Sequence, residues 1–162
     1  MTGRVLATLP TMQSRMALAV ILFAIVLASC GGAPSVTVTI GGKAVTMALA
    51  STSVRTGCSS EVGDAFPREV PLTTVRAPTP AVIHVEAGEG ATGTRGWIYD
   101  VEAPTASGGP LEEFTVAGRS GDHAAKSIVR ERTYTVVVNV MWSSLVTSGE
   151  VTHVFRLRVE PP

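Results

Sequence analysis

Hydrophobic and polar residues alternate along most of the chain beyond residue 35, with the period of two that is typical of β-strands. In the clearest segment, Tyr134–Trp142, tyrosine, valine and tryptophan side chains share one face. The pattern predicts about eight short strands, separated by segments rich in Gly, Pro and Ser. The predicted strands are Val36–Ile40, Ala44–Ala50, Glu69–Val75, Ala81–Ala87, Arg95–Glu102, Leu111–Ala117, Tyr134–Trp142 and Glu150–Glu160.

The segments between these strands carry turn and loop signals. Gly41-Gly42-Lys43 predicts a tight turn that joins the first two strands, because glycine reaches positive φ without steric cost. Ser51–Pro67 is rich in Ser, Gly and Thr and predicts a loop that contains Cys58. Asp122–Glu131 fits either a short capped helix or an extended strand. Pro71 places its own strand at a sheet edge, since proline has no N–H to donate.

Short strands without a convincing long helix predict an all-β fold, an antiparallel β-sandwich or barrel. The last strand has one apolar and one charged face, as expected when a sheet covers a core on one side only. Strict alternation places one set of side chains in the core and the two arginines of the last strand in solvent. The predicted core residues are Trp97, Tyr134, Val136, Val138 and Phe155, and the predicted exposed ones are Arg156 and Arg158.

Three of these strands resemble the C, F and G strands of immunoglobulin-like and fibronectin-type-III-like domains. The resemblance rests on Trp97 in a middle strand, Tyr134 at the start of the penultimate strand and the F-x-L-x-V pattern that begins at Phe155. The resemblance covers Glu69–Val159 and implies an immunoglobulin-like sandwich, with the Tyr134 hydroxyl bonded to upstream backbone. A single sandwich domain is expected over residues 36–162. Val136 stands where antibody domains place a cysteine, so their inter-sheet disulfide is not expected.

The N-terminal segment has the pattern of a secretory signal. An apolar run, Met16–Ala28, follows Arg4 and Arg15 and ends in small residues. The run is shorter than the roughly 20 apolar residues that a membrane-spanning helix needs. Translation from Met12 would give a more compact leader of the same kind.

The residues Leu27-Ala28-Ser29-Cys30 resemble the lipobox of bacterial lipoproteins. The resemblance implies that residues 1–29 are a cleaved signal peptide and that the Cys30 thiol carries diacylglycerol. An ordinary signal peptide with an incidental cysteine is the alternative. Residues 31–35 would form a tether of at most about 17 Å, so that the domain lies close to the bilayer. The expected location is the extracytoplasmic face of the cell membrane or outer membrane.

The balanced charge and the lack of a local catalytic motif in the sequence argue against several classes of function. Lys plus Arg and Asp plus Glu each number 13, without a block of like charge, so that no nucleic-acid partner is expected. Cys58 would need a histidine base to act as a nucleophile, and His84, His123 and His153 are scattered along the sequence. A buried thiol or an intermolecular pairing is the expected state of Cys58. We expect no enzyme and no cofactor.

Metal binding is the alternative function. His84 and His153 lie in predicted strands, and Met47 and Met141 could add soft ligands in a small periplasmic copper-handling protein. No pair falls at a recognised ligand spacing, so no metal site is assigned. Acidic residues that could bind calcium are expected to form a solvated edge instead; they are Asp100, Glu102, Glu112 and Glu113.

The sequence therefore predicts a lipid-anchored β-sandwich that acts as a non-catalytic binding or structural module. Its partners would be the lipid bilayer, through Cys30, and an envelope protein or glycan. Loops at one end of the sandwich are the expected recognition surface.

Overall fold

The computed structural model describes residues 33–56, 59–64, 67, 69–100, 109–145 and 147–162. Cys30, Cys58 and Glu102 lie outside these residues. The described residues contain no helix, and so none that could span a membrane. Their strands are β1 (Val36–Ile40), β2 (Lys43–Ala44), β3 (Ala48–Thr56), β4 (Ser59–Asp64), β5 (Leu72–Arg76), β6 (Ala81–Ala87), β7 (Ala91–Tyr99), β8 (Glu112–Ala117), β9 (Ser120–Ala125), β10 (Thr133–Ser143) and β11 (Thr147–Glu160).

The strands form two sheets that pack face to face around one hydrophobic core, which confirms the predicted β-sandwich. The first sheet has the order β2-β1-β6-β9, and the second has the order β4-β3-β11-β10-β7-β8. All neighbours are antiparallel except β5, which pairs with β11 in parallel. The strands that resemble C, F and G are β7, β10 and β11, and they are adjacent in the second sheet.

The long strand β11 has two partners along one edge. Its first part, Thr147–Val154, pairs with β3, and its second part, Arg156–Glu160, pairs with β5. The register to β3 shifts between Thr152 and His153, where a β-bulge lies. Among the described strands, β5 pairs with β11 alone, which confirms the edge position that Pro71 predicted.

The first hairpin turns where the glycines predicted, with φ of 58° at Gly41 and 75° at Gly42. A Cβ at Gly41 would also lie 2.8 Å from the carbonyl oxygen of Arg76, so that only glycine fits there. The predicted partner strand, Ala44–Ala50, is wrong in extent. Pairing ends at Ala44, and the chain then crosses to the second sheet, where it continues as β3.

Two further segments differ from the sequence-based expectation. The predicted loop Ser51–Pro67 is wrong at residues 51–56 and 59–64, because β3 and β4 form an antiparallel hairpin there. The hairpin lies at a sheet edge, where polar side chains face solvent and Val62 is 71% exposed, so that its composition resembles that of a loop. The strand alternative holds for the first part of Asp122–Glu131, because β9 pairs with β6.

The core confirms four of the five predicted inward side chains. Tyr134, Val136, Val138 and Phe155 are at most 1% exposed. The Tyr134 hydroxyl accepts a hydrogen bond of 3.0 Å from the Val129 N–H, as the immunoglobulin-like resemblance implied.

The inward assignment of Trp97 is wrong. Ile98 is fully buried in its place, and Trp97 is half-buried on the opposite face of β7. The inner side of β7 is already filled at Gly96, where a Cβ would lie 2.0 Å from the Phe114 ring. Trp97 instead lies beside Val137 of β10 on the outer face.

Candidate functional site

The face of the second sheet that points away from the first sheet, called here the outer face, carries Trp97 and Tyr99, the two Phe, Trp or Tyr side chains among the described residues that are not buried. The register places Trp97 between Glu113 of β8 and Val137 of β10. Arg95, two residues before Trp97 on the same face, lies between Thr115 of β8 and Asn139 of β10. Large amphipathic and charged side chains thus stand side by side on this face.

A shallow cleft opens on this face over β7 and β8, with a volume of about 330 Å³. We call it the Trp97 cleft. Side chains from alternate positions form its walls, and the backbone between them forms its floor. It is lined by Arg95, Gly96, Trp97, Glu113, Phe114 and Thr115. The volume lies at the lower end of the range for small-molecule sites.

The part of the sheet beside the cleft, formed by β10 and β11, is held in place by packing and hydrogen bonds. Thr135 and Val154 are fully buried although they belong to the outer face, and Asn139 is 8% exposed. The Asn139 amide donates to Thr152 Oγ1 at 2.9 Å and to Glu150 Oε2 at 3.4 Å. These contacts fix the part of the sheet that lies beside the cleft.

The charges of the Trp97 cleft offset one another. Arg95 contributes a guanidinium with donors only, and Glu113 a carboxylate with acceptors only. Both side chains are exposed, as is that of Thr115. The cleft therefore presents an indole face together with donors and acceptors, and it has no net charge.

The structure separates the two histidines that were considered as copper ligands. His84 lies on the outward side of β6 in the first sheet, whereas His153 lies on β11 in the second sheet, on the same side as Phe155. Burial lowers the pKa of His153 below its ordinary value. Met47 packs against the core and Met141 lies on the outer face beside Glu150. Among the described residues, no three His, Cys, Asp or Glu side chains form a group that could hold a metal ion.

The acidic residues considered for calcium are also dispersed. Asp100 pairs with Arg132 at 3.3 Å, and Glu113 lines the Trp97 cleft. Glu112 points elsewhere and accepts hydrogen bonds from the Ser127 N–H and from His123 Nε2, both at 2.7 Å. These three carboxylates therefore have separate roles.

A constellation that sequence reasoning missed lies on the outward side of the first sheet. His84 Nδ1 is 2.6 Å from Asp122 Oδ1, and His84 Nε2 is 3.4 Å from Ser120 Oγ. Ser120 and Asp122 are two residues apart on β9, and Asp122 is directly opposite His84 of β6. The only sequence signal is the Ser-x-Asp spacing, which becomes informative once the register of β6 and β9 is known.

Comparison with protein families, with curated proteins and with solved structures found no match for this chain.

Proposed function

We propose that this chain is a membrane-tethered, extracytoplasmic lipoprotein that binds neutral glycans of the cell envelope through the Trp97 cleft. Acylated Cys30 would anchor the chain, and the sandwich would present the cleft close to the membrane. The observation that carries the ligand class is the half-buried indole flanked by one guanidinium, one carboxylate and one hydroxyl.

The chemistry of the cleft favours a sugar ring. A sugar has a flat C–H face that can lie against the Trp97 indole, and its hydroxyls can donate to Glu113 and accept from Arg95. Ligand sites commonly combine an aromatic surface with a few polar groups that fix orientation. An anionic ligand would meet the carboxylate of Glu113, and a cationic one the guanidinium of Arg95, which favours a neutral ligand.

An array of neutral and acidic envelope glycans, probed with the full-length chain in detergent, tests this function. We expect binding to neutral glycans and a loss of about tenfold or more in affinity for Trp97→Ala, since a central Trp contributes more than about 1.4 kcal/mol. Leu72→Ala is the matched control, because Leu72 is an exposed apolar residue on β5 that does not line the cleft.

Three outcomes would overturn the glycan proposal. They are binding to none of the glycans, a preference for acidic glycans, and equal binding by Trp97→Ala and the wild-type chain. Saturable binding of a purified envelope protein that Trp97→Ala abolishes, without glycan binding, would assign the cleft to a protein partner instead.

A further inference from the structure

The outward side of the first sheet places three reactive side chains together through strand register alone. Directly opposed side chains on antiparallel strands lie about 5 Å apart at Cβ, and diagonal neighbours lie within reach of a long or aromatic side chain. Asp122 is the direct neighbour of His84, and Ser120 pairs with Glu86, so that Ser120 is the diagonal neighbour of His84. Both hydrogen-bonding contacts of the His84 ring follow from this arrangement.

The two contacts also fix the tautomer of a neutral His84. A carboxylate only accepts hydrogen bonds, so the 2.6 Å contact to Asp122 places the ring proton on Nδ1. Nε2 then carries the free electron pair and faces the Ser120 hydroxyl at 3.4 Å. Uncomplexed sites commonly show a serine–histidine distance somewhat longer than a standard hydrogen bond.

We infer that Ser120 is a nucleophile in a site of ester hydrolysis, with His84 as its general base and Asp122 as the positioning residue. The order of contacts, serine to Nε2 and carboxylate to Nδ1, is the one that serine hydrolases use on unrelated folds. This activity is separate from glycan binding, because it lies on the other sheet. A catalytic Ser120 would contradict the expectation of a non-catalytic module, which stays a prediction.

The reaction balances without a further reagent. His84 Nε2 takes the Ser120 proton as Oγ bonds to the ester carbonyl carbon, and the same proton then protonates the alcohol that leaves. Water, deprotonated by His84, attacks the acyl-serine and releases the acid, and Ser120 regains a proton. The sum is ester plus water to acid plus alcohol.

The exposure of the site to solvent and its charge indicate which substrates it would accept. The side chains of His84 and Asp122 are 42% and 67% exposed. Solvent would therefore surround a bound ester and weaken the electrostatic interactions of these side chains with it. Glu86 lies across from Ser120 and disfavours anionic substrates. Small, neutral, activated esters therefore fit the site.

The full-length chain in detergent can be tested with p-nitrophenyl acetate and with a fluorophosphonate probe mapped by peptide mass spectrometry. We expect the probe on Ser120 and a hydrolysis rate that falls by about tenfold or more in Ser120→Ala and His84→Gln, since general-base catalysis contributes about 10²–10⁴-fold. Asp122→Asn should slow hydrolysis, and Asp122→Glu should restore part of the rate. Ser143→Ala, which changes another exposed strand serine, should react like the wild type.

Direct attack by a histidine also hydrolyses p-nitrophenyl acetate, and the serine variant separates the two routes. A rate that Ser120→Ala leaves unchanged, or a probe attached to other serines as readily as to Ser120, would overturn the inference. Equal labelling of Ser120 in the wild type and in His84→Gln would overturn it as well. Urea melts of each variant show whether a lost rate reflects unfolding.

Discussion

At the scale of single residues, Glu112 joins the two sheets at one edge of the sandwich. It lies on β8 of the second sheet and accepts hydrogen bonds from His123 of β9 and from the N–H groups of Lys126 and Ser127. Its side chain is 15% exposed. Burial alone would raise the pKa of Glu112, but the hydrogen bonds together outweigh burial and hold that pKa below its ordinary value.

Glu112→Gln should destabilise the fold at neutral pH and make its stability less sensitive to acid. A carboxyl with a lowered folded-state pKa stabilises above its unfolded pKa of 4.5 and loses that effect as pH falls through the folded value. The expected loss at pH near 7 is about 1–3 kcal/mol, the usual cost of weakening buried charge-assisted hydrogen bonds. Urea melts from about pH 3 to 7 measure it, with exposed Glu113→Gln as control.

Protonation of His153 also lowers the stability of the fold in acid, but over a different pH range from protonation of Glu112. His153 has a folded-state pKa below 6.5, so its neutral form favours folding above that pH, and the benefit declines as pH falls from 6.5 to the folded value. The effect of Glu112 begins lower, below its unfolded pKa of 4.5. If Glu112→Gln kept the full wild-type slope below that value, the role given to Glu112 would be wrong.

Trp97 shows what sequence alone could not decide at this scale. Side chains alternate between the two faces along Arg95–Tyr99, but Trp97 and Ile98 are both apolar, and either could face the core. On the core side of β7, the Phe114 ring of the next strand, β8, fills the space beside Gly96, a packing contact that the pattern of apolar residues does not show. The outward position of Trp97 is what provides the candidate binding surface.

At the scale of elements, the clearest prediction to test is which face of β11 points into the core. Phe155 is fully buried and Arg158 is exposed on the other side of the strand. Phe155→Ala should cost about 3–5 kcal/mol through lost burial and a residual cavity. Arg158→Ala should change stability by no more than about 0.5 kcal/mol. Comparable losses in urea melts of the two variants would contradict the register, because a slip by one residue exchanges the two faces.

Strands with a clear row of apolar side chains on the inner face could be predicted, including the edge strand β8, whereas the polar edge strand β4 could not. β6 was predicted with its observed bounds, and β10 and β11 with small errors at their ends, because apolar side chains mark their inner faces. The hairpin of β3 and β4 was missed because its residues are mostly polar, so that no alternation of apolar side chains marks an inner face. The contacts of His84 were missed for another reason, since they depend on the pairing of β6 with β9.

At the scale of the whole molecule, the two candidate sites use different properties of the same architecture. Each sheet of a sandwich packs one face on the core and leaves the other available for polar chemistry. The second sheet offers the Trp97 cleft, and the first sheet offers Ser120 beside His84. Because a core separates the faces, substitutions at one site should leave the geometry of the other unchanged, and the two proposals can fail independently.

The proposed anchor predicts that one of the two cysteines decides where the whole chain resides. Two acyl chains on Cys30 would hold the chain firmly, since each buried methylene contributes about 0.8 kcal/mol, whereas one chain binds only marginally. Cys30→Ala should therefore abolish labelling by radioactive palmitate and either release the chain from membranes or leave an unprocessed precursor. Cys58→Ala is the matched control and should be labelled and sedimented with membranes like the wild type. Equal palmitate incorporation by the wild type and Cys30→Ala would refute the anchor, because the label would then be attached elsewhere.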